Sequence, residues 1–520
     1  MSPLRSHDLT VFVASSLLLV LMTAPRADGA CNATCERDRA RCMAAQCEGV
    51  PRAACRRHCK PAAIRTLAYA LTECRRDAAG NGVNYQALRI RRGDREPITV
   101  MEFGGFGASD VGPDPQGLCR VYGRDRLGGV VVVAGPLQRL GVSPNGSGVV
   151  FEVNSPPQGL PADQHGFFFV RADGSRPPRL LGPASRDPCF RVGEDPTGTY
   201  PFVENWAPTI PFSPNGRRIA FTDLGPGPGG EDAVQIVTLD LATDTPTRRQ
   251  VTHLPSGSPP GAGPSIPSFL TAYPRFIDND TIGFLTFTDP DGSNPEHKLA
   301  FFTVRIDGRG LRQVIVPTPV AGVGSRIIPV FGVATLAKNV FTLNVDGTPA
   351  NASPGFTRIS EVFVQDGKNL LQLTNFQRAD TQNPFPRVTG TQAFFAASGD
   401  PLKKNPSGTC QLFSINTDGS GLRQLTHFVS GDPGACGFSF PSSCLVGLQF
   451  GIQDPVTKAV VFDSTCDPFH ANPYGGQLFA MRSDGSGLRQ LTDAAGFTEN
   501  PDGSFRVELP GPFAYSARPD

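Results

Sequence analysis

The stretch QLFSINTDGSGLRQLT, Gln411–Thr426, decides how this chain is read. Its last nine residues, Asp418–Thr426, return unchanged at Asp484–Thr492. In Gln411–Asn416 alternate residues are largely apolar, the pattern of a half-buried strand. Asp418-Gly419 follows, a dipeptide that tolerates the positive φ of a tight hairpin turn. Leu422–Thr426 then returns as the partner strand. A second hairpin pattern occurs upstream, in LGVSPNGSGVVF at Leu140–Phe151 and IPFSPNGRRIAF at Ile210–Phe221. One hairpin of each kind makes a four-stranded antiparallel meander.

Six such units can be read. Their second hairpins centre on Asp173-Gly174, Leu239–Thr252, Asp307-Gly308, Asp366-Gly367, Asp418-Gly419 and Asp484-Gly485. Their first hairpins centre on Pro144, Pro214, Phe276–Phe287, Phe331–Leu343, Phe385–Ser398 and Phe450–Phe462. Four-stranded units repeated at intervals of tens of residues predict an all-β chain folded as a β-propeller. The ends of the array add to this. The tail Arg506–Ser516 matches Arg387–Ser398, a first hairpin with no second after it. Leu118–Tyr122 and Gly128–Ala134 read as a second hairpin with no first before it. Joined, they predict a seventh, split blade that leaves no open sheet edge. Six blades follow if residues 118–134 belong elsewhere.

Composition agrees. Gly 58 and Pro 50 make up about a fifth of the 520 residues, against about 12% in ordinary proteins. Thirty-six Phe argue against disorder. Net charge is +1, so no overall field favours nucleic acid.

Residues 1–30 read as a secretory signal peptide. Arg5 supplies the positive charge, Leu9–Met22 the apolar run and Ala27–Ala30 the small residues before cleavage. The expected location is periplasmic or extracellular. A lipid anchor on Cys31 is not expected, because Asp28 stands where a lipobox requires an apolar residue. No later run is long enough to span a bilayer as a helix.

Thirteen cysteines in an exported chain point to disulfides, and their odd number leaves at least one over. Seven crowd into residues 31–76, among good helix formers broken at Gly49-Val50-Pro51. The expectation is a helical hairpin. Facing positions in it would pair Cys47 with Cys55, Cys42 with Cys59, and Cys31 with Cys74, or Cys35 with Cys74 instead. A zinc site using this CxxxC spacing and His58 is the rival, and the oxidising setting favours disulfides. Residues 77–117 read as a Gly-rich irregular linker, with Arg92-Gly93-Asp94 as a turn. The propeller is then expected over 118–520. Within it, Cys436 with Cys444, Cys410 with Cys466, and Cys119 with Cys189 are the candidate pairs.

SPNGRRIAFT (Ser213–Thr222) and QLFSINTDGSGLRQLT (Gln411–Thr426) resemble the TolB-like, or WD40-like PD40, propeller repeat. That family's pattern is roughly S-P-D-G-x-x-I-x-F followed by D-G-S-G-x-x-x-Q-L-T. The resemblance covers about residues 118–520. It departs at Asn145 and Asn215, which replace Asp, and at Asp278-Asn279-Asp280, which lacks Ser-Pro. TolB carries an α/β domain before its propeller. The cysteine-rich segment stands there here, so a Tol–Pal role is not implied.

The repeated residues are turn chemistry. No nucleophile elbow, His-Glu-x-x-His, Walker or dinucleotide motif occurs. Prolyl-oligopeptidase-type enzymes attach a hydrolase domain to a similar propeller, and no room for one is expected after the last repeat. His253 and His427 hold equivalent places in QVTH and QLTH, which makes them weak metal candidates. Asp289–Glu296 resembles a calcium loop, but its Gly292 is misplaced for an EF-hand, so an inter-strand turn is expected. No cofactor is predicted. The reading is an exported propeller that binds or scaffolds a protein partner. Its alternative is a metal-dependent propeller hydrolase or lyase of the lactonase or oligosaccharide-lyase type, with its site at the channel mouth.

Overall fold

A computed structural model describes residues 64–76, 82–106, 122–124, 130–132, 137–153, 165–186, 210–242, 245–256, 271–286, 288–295, 297, 300–315, 338–345, 359–366, 369–377, 387–389, 391–429, 446–447, 459–469, 476–494, 496–499 and 505–517. Every element among them is a β-strand. No helix among them is long and apolar enough to cross a membrane.

The first strands are β1 (Ile64–Arg76), β2 (Gly82–Arg92) and β3 (Ile98–Phe106). A two-stranded ribbon follows, β4 (Tyr122–Arg124) with β5 (Val130–Val132). Six antiparallel sheets come next, each from consecutive strands. Sheet one is β6 (Leu137–Val142), β7 (Gly148–Val153), β8 (Gly166–Arg171) and β9 (Arg179–Gly182). Sheet two is β10 (Arg218–Pro226), β11 (Asp232–Asp240) and β12 (Thr247–Gln250), with Phe212 bridged to Ile219 at its inner edge. Sheet three is β13 (Thr271–Phe276), β14 (Thr281–Thr286), β15 (Ala300–Arg305) and β16 (Arg312–Ile315). Sheet four is β17 (Lys338–Val345), β18 (Ile359–Asp366) and β19 (Asn369–Gln372). Sheet five is β20 (Arg387–Thr389), β21 (Gln392–Ala397), β22 (Gln411–Asn416) and β23 (Arg423–Gln424). Sheet six is β24 (Val446–Gly447), β25 (Ala459–Ser464), β26 (Gln477–Arg482) and β27 (Arg489–Gln490). The last strands, β28 (Gly496–Glu499) and β29 (Phe505–Ala517), join the first three in a closing sheet of order β28-β29-β1-β2-β3.

Apolar clusters bind these sheets into a ring. They join the closing sheet to sheet one, sheet one to two, two to three, four to five, five to six, and six back to the closing sheet. Antiparallel sheets packed face to face in chain order, with β29 returning to pair with β1, are the arrangement of a β-propeller.

The closure differs from the sequence expectation. β29 pairs with β1, with Tyr515 opposite Leu67 and Ala514 opposite Ala68. The described residues between 118 and 134 form the β4–β5 ribbon, which pairs with no other sheet among the described residues. Residues 64–76 are a strand rather than part of a helical hairpin, and residues 82–106 are two strands rather than a linker. Helix propensity is a weak prior that tertiary burial overrides. In β1 the small Ala68 and Ala70 face sheet one, while Leu67, Tyr69 and Leu71 face sheet six. This alternation of small and large residues fits two apolar interfaces and would not suit a helix. Arg92-Gly93-Asp94 is the β2–β3 turn. Gly93 has φ 58, and Asp94 pairs with Arg489 of sheet six.

The repeated residues have local roles. Gly419 and Gly485 both have φ 85, a region where a Cβ is strained. Asp418 Oδ1 accepts from Ser420 N at 2.9 Å, and Asp484 Oδ1 accepts from Ser486 N at 2.9 Å. In the other turn, Asn145 Oδ1 and Asn215 Oδ1 each accept from a backbone N–H two residues on, at 3.0 Å. An amide oxygen therefore does there what the usual Asp carboxylate would. In sheets one, three, five and six a Phe of the second strand faces a Phe of the third: Phe151 and Phe168, Phe284 and Phe302, Phe395 and Phe413, Phe462 and Phe479. Their ring centroids lie 5.4, 6.1, 5.8 and 5.7 Å apart. Such pairs add about 0.5–1.5 kcal/mol each beyond the area they bury.

A buried glutamine anchors the chain where it leaves each of three sheets. Gln411 Oε1 accepts from Thr426 Oγ1 at 2.8 Å and Phe428 N at 3.0 Å, while its Nε2 donates to Phe428 O at 2.7 Å. Gln235 and Gln477 repeat this with Thr252 and Leu254, and with Thr492 and Ala494. Gln86 holds the matching place in the closing sheet and accepts from Leu137 N at 2.6 Å, where the chain enters sheet one. Sheet four carries Glu361 instead. It has no amide to donate. Its carboxylate accepts from Thr374 Oγ1 at 2.5 Å and from Gln377 N at 2.6 Å, and Gln377 takes φ 55.

Burial is the main cause that raises the Glu361 pKa above its ordinary 4.5; hydrogen bonds from Thr374, Phe376 and Gln377 oppose it. For a carboxyl with a raised folded pKa, the stability it contributes is complete below the unfolded pKa. It is lost as pH rises through the folded one. Glu361→Gln restores the amide of the other sheets. We therefore expect a higher thermal midpoint for Glu361→Gln than for wild type at pH 8, with the difference vanishing toward pH 4. Melting curves across that range check it. Deleting Phe505–Asp520 exposes the edge of β1. The expected result is a lower midpoint and self-association on size exclusion, since unpaired edges template pairing with other chains.

Candidate functional site

The disc has two unlike faces. One carries the Ser-Pro-Asn-Gly and Asp-Gly turns. The other carries the connections from second to third strands and the crossovers between sheets. On this crossover face the repeats diverge.

The divergence is sharpest at the seam of sheets one and two. Cross-strand partners define equivalent positions: Gln411 faces Ala397, Gln477 faces Ser464 and Gln86 faces Thr72, but Gln235 faces Asp223. A carboxylate thus stands where other sheets place a neutral residue. Asp223 is buried, with its side chain 1% exposed. Its Oδ1 accepts from Arg186 N at 2.6 Å and Leu224 N at 2.8 Å. Its Oδ2 pairs with Arg248. The guanidinium of Arg248 sits 5.2 Å from the Phe221 ring centroid, over its face. Arg186 Nε lies 3.8 Å from Asp223 Oδ1, and its Nη2 donates to Leu224 O. One residue earlier, Ser185 N donates to Glu152 Oε1 at 2.6 Å and Ser185 Oγ donates to Thr222 O at 2.7 Å. Glu152, also buried, pairs through Oε2 with Arg139, whose guanidinium lies 5.7 Å from the Phe167 ring. Phe167 and Phe221 pack at 4.3 Å between centroids and floor the cluster.

This seam therefore gathers Arg139, Arg186, Arg248, Glu152 and Asp223 from two sheets and one crossover. Burial is the main cause that lowers the Arg248 pKa. The neighbouring Arg186 charge lowers it further, and Glu152 partly offsets both. Two guanidiniums thus compete for Asp223. The signal in the sequence was present only as single carboxylates inside buried stretches of strand, Glu152 in GVVFEV and Asp223 in RIAFTDLGP.

The predicted site residues fall elsewhere. His253 and His427 do occupy equivalent places after the outer strands of sheets two and five. His253 Nδ1 lies 3.1 Å from Gln250 Nε2, and His427 Nδ1 lies 3.3 Å from Gln424 Nε2. Two sheets lie between them in the ring. Among the described residues no group of three or more His, Cys, Asp or Glu is placed to hold a metal ion. The calcium-like Asp289 uses Oδ1 to accept from Asn294 N at 2.7 Å. Asp400 does the same with Asn405 N at 2.7 Å. These are equivalent connections in sheets three and five, built on Asp-Pro-x-x-x-Asn, a repeat the sequence reading passed over.

Cys410 and Cys466 are both disulfide-bonded, and both are buried in the cluster that joins sheets five and six. Cys74 lies on β1, with its Cα opposite Asn84. The other cysteine candidates, Cys31, Cys42, Cys47, Cys55, Cys59, Cys119, Cys189, Cys436 and Cys444, lie outside the described residues, as does Cys35.

No family model and no curated protein matches the chain. Solved structures that are similar to it include a prolyl endopeptidase, at 13% identity and TM-score 0.40, covering 85% of this chain and 54% of that one. The β-propeller domain of the Trilobed protease from Pyrococcus furiosus is similar at 9% identity and TM-score 0.41, covering 82% and 95%. An oligogalacturonate lyase from Vibrio parahaemolyticus is similar at 8% identity and TM-score 0.36, covering 70% and 87%. The chain spans about half the length of the prolyl endopeptidase.

The seam predicts an asymmetry between partners. Asp223→Asn leaves two guanidiniums without a counter-charge and is expected to cost about 3 kcal/mol or more of stability. Arg186→Gln removes a half-exposed partner and is expected to cost under about 1 kcal/mol. Urea unfolding of both variants measures the contrast.

Proposed function

We propose that this chain is an exported, seven-bladed propeller of the TolB-like, PD40-repeat kind that binds a protein partner through its crossover face. One observation carries the reading. The turn face repeats the same residues from sheet to sheet, whereas the crossover face holds a buried charged seam that the repeat does not require. Burying unlike charges between two blades costs desolvation, and a scaffold alone needs none of it. The signal-peptide pattern of residues 1–30 supports export, and disulfide bonding of Cys410 and of Cys466 supports an oxidising compartment. Cys410 and Cys466 bonded to each other would staple sheet five to sheet six.

A metal-dependent hydrolase or lyase makes a different demand, that of ligands converging at one mouth. Elemental analysis of protein purified without chelators, then loaded with manganese or zinc, addresses that alternative. The test of the partner reading compares faces. Charge reversal at Arg186, on the crossover face, is set beside charge reversal at Arg309, on the turn face. Affinity capture from envelope extract is expected to yield a partner with wild type and Arg309→Glu but not with Arg186→Glu. Equal recovery by all three, or no recovery by any, overturns it.

A further inference from the structure

The charged seam carries one positive charge more than it uses. Three guanidiniums, Arg139, Arg186 and Arg248, face two carboxylates, Glu152 and Asp223. Both carboxylates already face guanidiniums of the seam. Glu152 serves Arg139 with one oxygen and Ser185 N with the other. Asp223 gives Oδ1 to two backbone N–H groups and Oδ2 to Arg248. Arg186, held 3.8 Å from Asp223 Oδ1, is ion-paired there without a short hydrogen bond. Its side chain is 56% exposed and that of Arg248 is 31% exposed, so both present donors to solvent from one point on the crossover face.

From this geometry we propose that Arg186 and Arg248 form a subsite for a carboxylate. Both guanidiniums are held at Asp223, so their positive charges repel each other, and an incoming anion relieves that repulsion. The excess of one charge matches a monoanion. A phosphate dianion would leave a net negative charge beside buried Asp223 and Glu152. Phe221 fixes the plane of Arg248, and the Leu224 carbonyl tethers Arg186. The forks are therefore set before the ligand arrives, which suits bidentate carboxylate recognition. The expected ligand is an acidic residue or chain terminus of the partner protein, and in that respect the inference rests on the proposed function. A free organic acid presents the same group.

The test uses the whole chain and a fluorescent peptide of alternating Glu and Gly, read by polarisation. A Gln-for-Glu peptide and sodium acetate supply the other arms. We expect the Glu peptide to bind, the Gln peptide to bind at least tenfold more weakly, and acetate to compete. Arg186→Gln and Arg248→Gln should each weaken binding at least tenfold, with Arg309→Gln unchanged and unaltered circular dichroism in all three. Acetate binding measured by isothermal titration calorimetry, lost in Arg186→Gln and Arg248→Gln, in the absence of Glu-peptide binding would support the carboxylate subsite and identify a small acid as its ligand. Equal binding of the two peptides, or binding indifferent to both Arg186 and Arg248, overturns the subsite. If the subsite holds while Arg186→Glu still captures the envelope partner, the partner reading fails and the subsite stands.

Discussion

Among the described residues the closing sheet and sheets one, two, five and six are apolar on both faces, so each needs a neighbour on both sides. β1 shows the constraint in its plainest form, with Ala68 and Ala70 turned to one seam and Leu67, Tyr69 and Leu71 to the other. A row of such sheets ends in two exposed faces unless it bends into a ring. Joining β29 to β1 removes both ends at once. Facing Phe pairs across the second and third strands add to the apolar surface of sheets one, three, five and six. The composition, rich in Phe and turn residues, follows from that requirement.

A ring also needs the chain to pass from one sheet to the next without stranding backbone groups. The buried glutamines answer this. Each uses one amide to satisfy a threonine hydroxyl, an N–H and a carbonyl at the crossover. Leaving such groups unmet in the interior costs about 1–3 kcal/mol each. Glu361 shows what the amide supplies. Without its donor the crossover turns, Gln377 adopts positive φ, and a second N–H replaces the carbonyl.

The charged seam breaks the repeat in another way. Asp223 sits where the scaffold elsewhere uses Ala397, Ser464 or Thr72, and Glu152 is buried beside it. A neutral, well-packed seam would serve the ring at least as well. The charges are therefore best understood through what they present to solvent, two guanidiniums held in fixed planes.

Much of the fold was legible in the sequence because turns and strand alternation are local. Asp418-Gly419, Ser213–Gly216 and the apolar alternation of Gln411–Asn416 mark hairpins whatever surrounds them. The second hairpins around Asp173, Leu239–Thr252, Asp307, Asp418 and Asp484 fell where they were read for that reason. The closure was not legible. Ile64–Arg76 is built from good helix formers, and only its position between two apolar seams makes it a strand. The partner of β29 lies hundreds of residues away, and no local pattern names it. Arg139, Glu152, Arg186, Asp223 and Arg248 were invisible as a group for the same reason. They come from five separate segments, and the sheets had to pack before their charges could meet. The sequence by itself determined the repeating hairpins. The tertiary structure alone decided which ends join and which charges share a seam, because both depend on long-range burial.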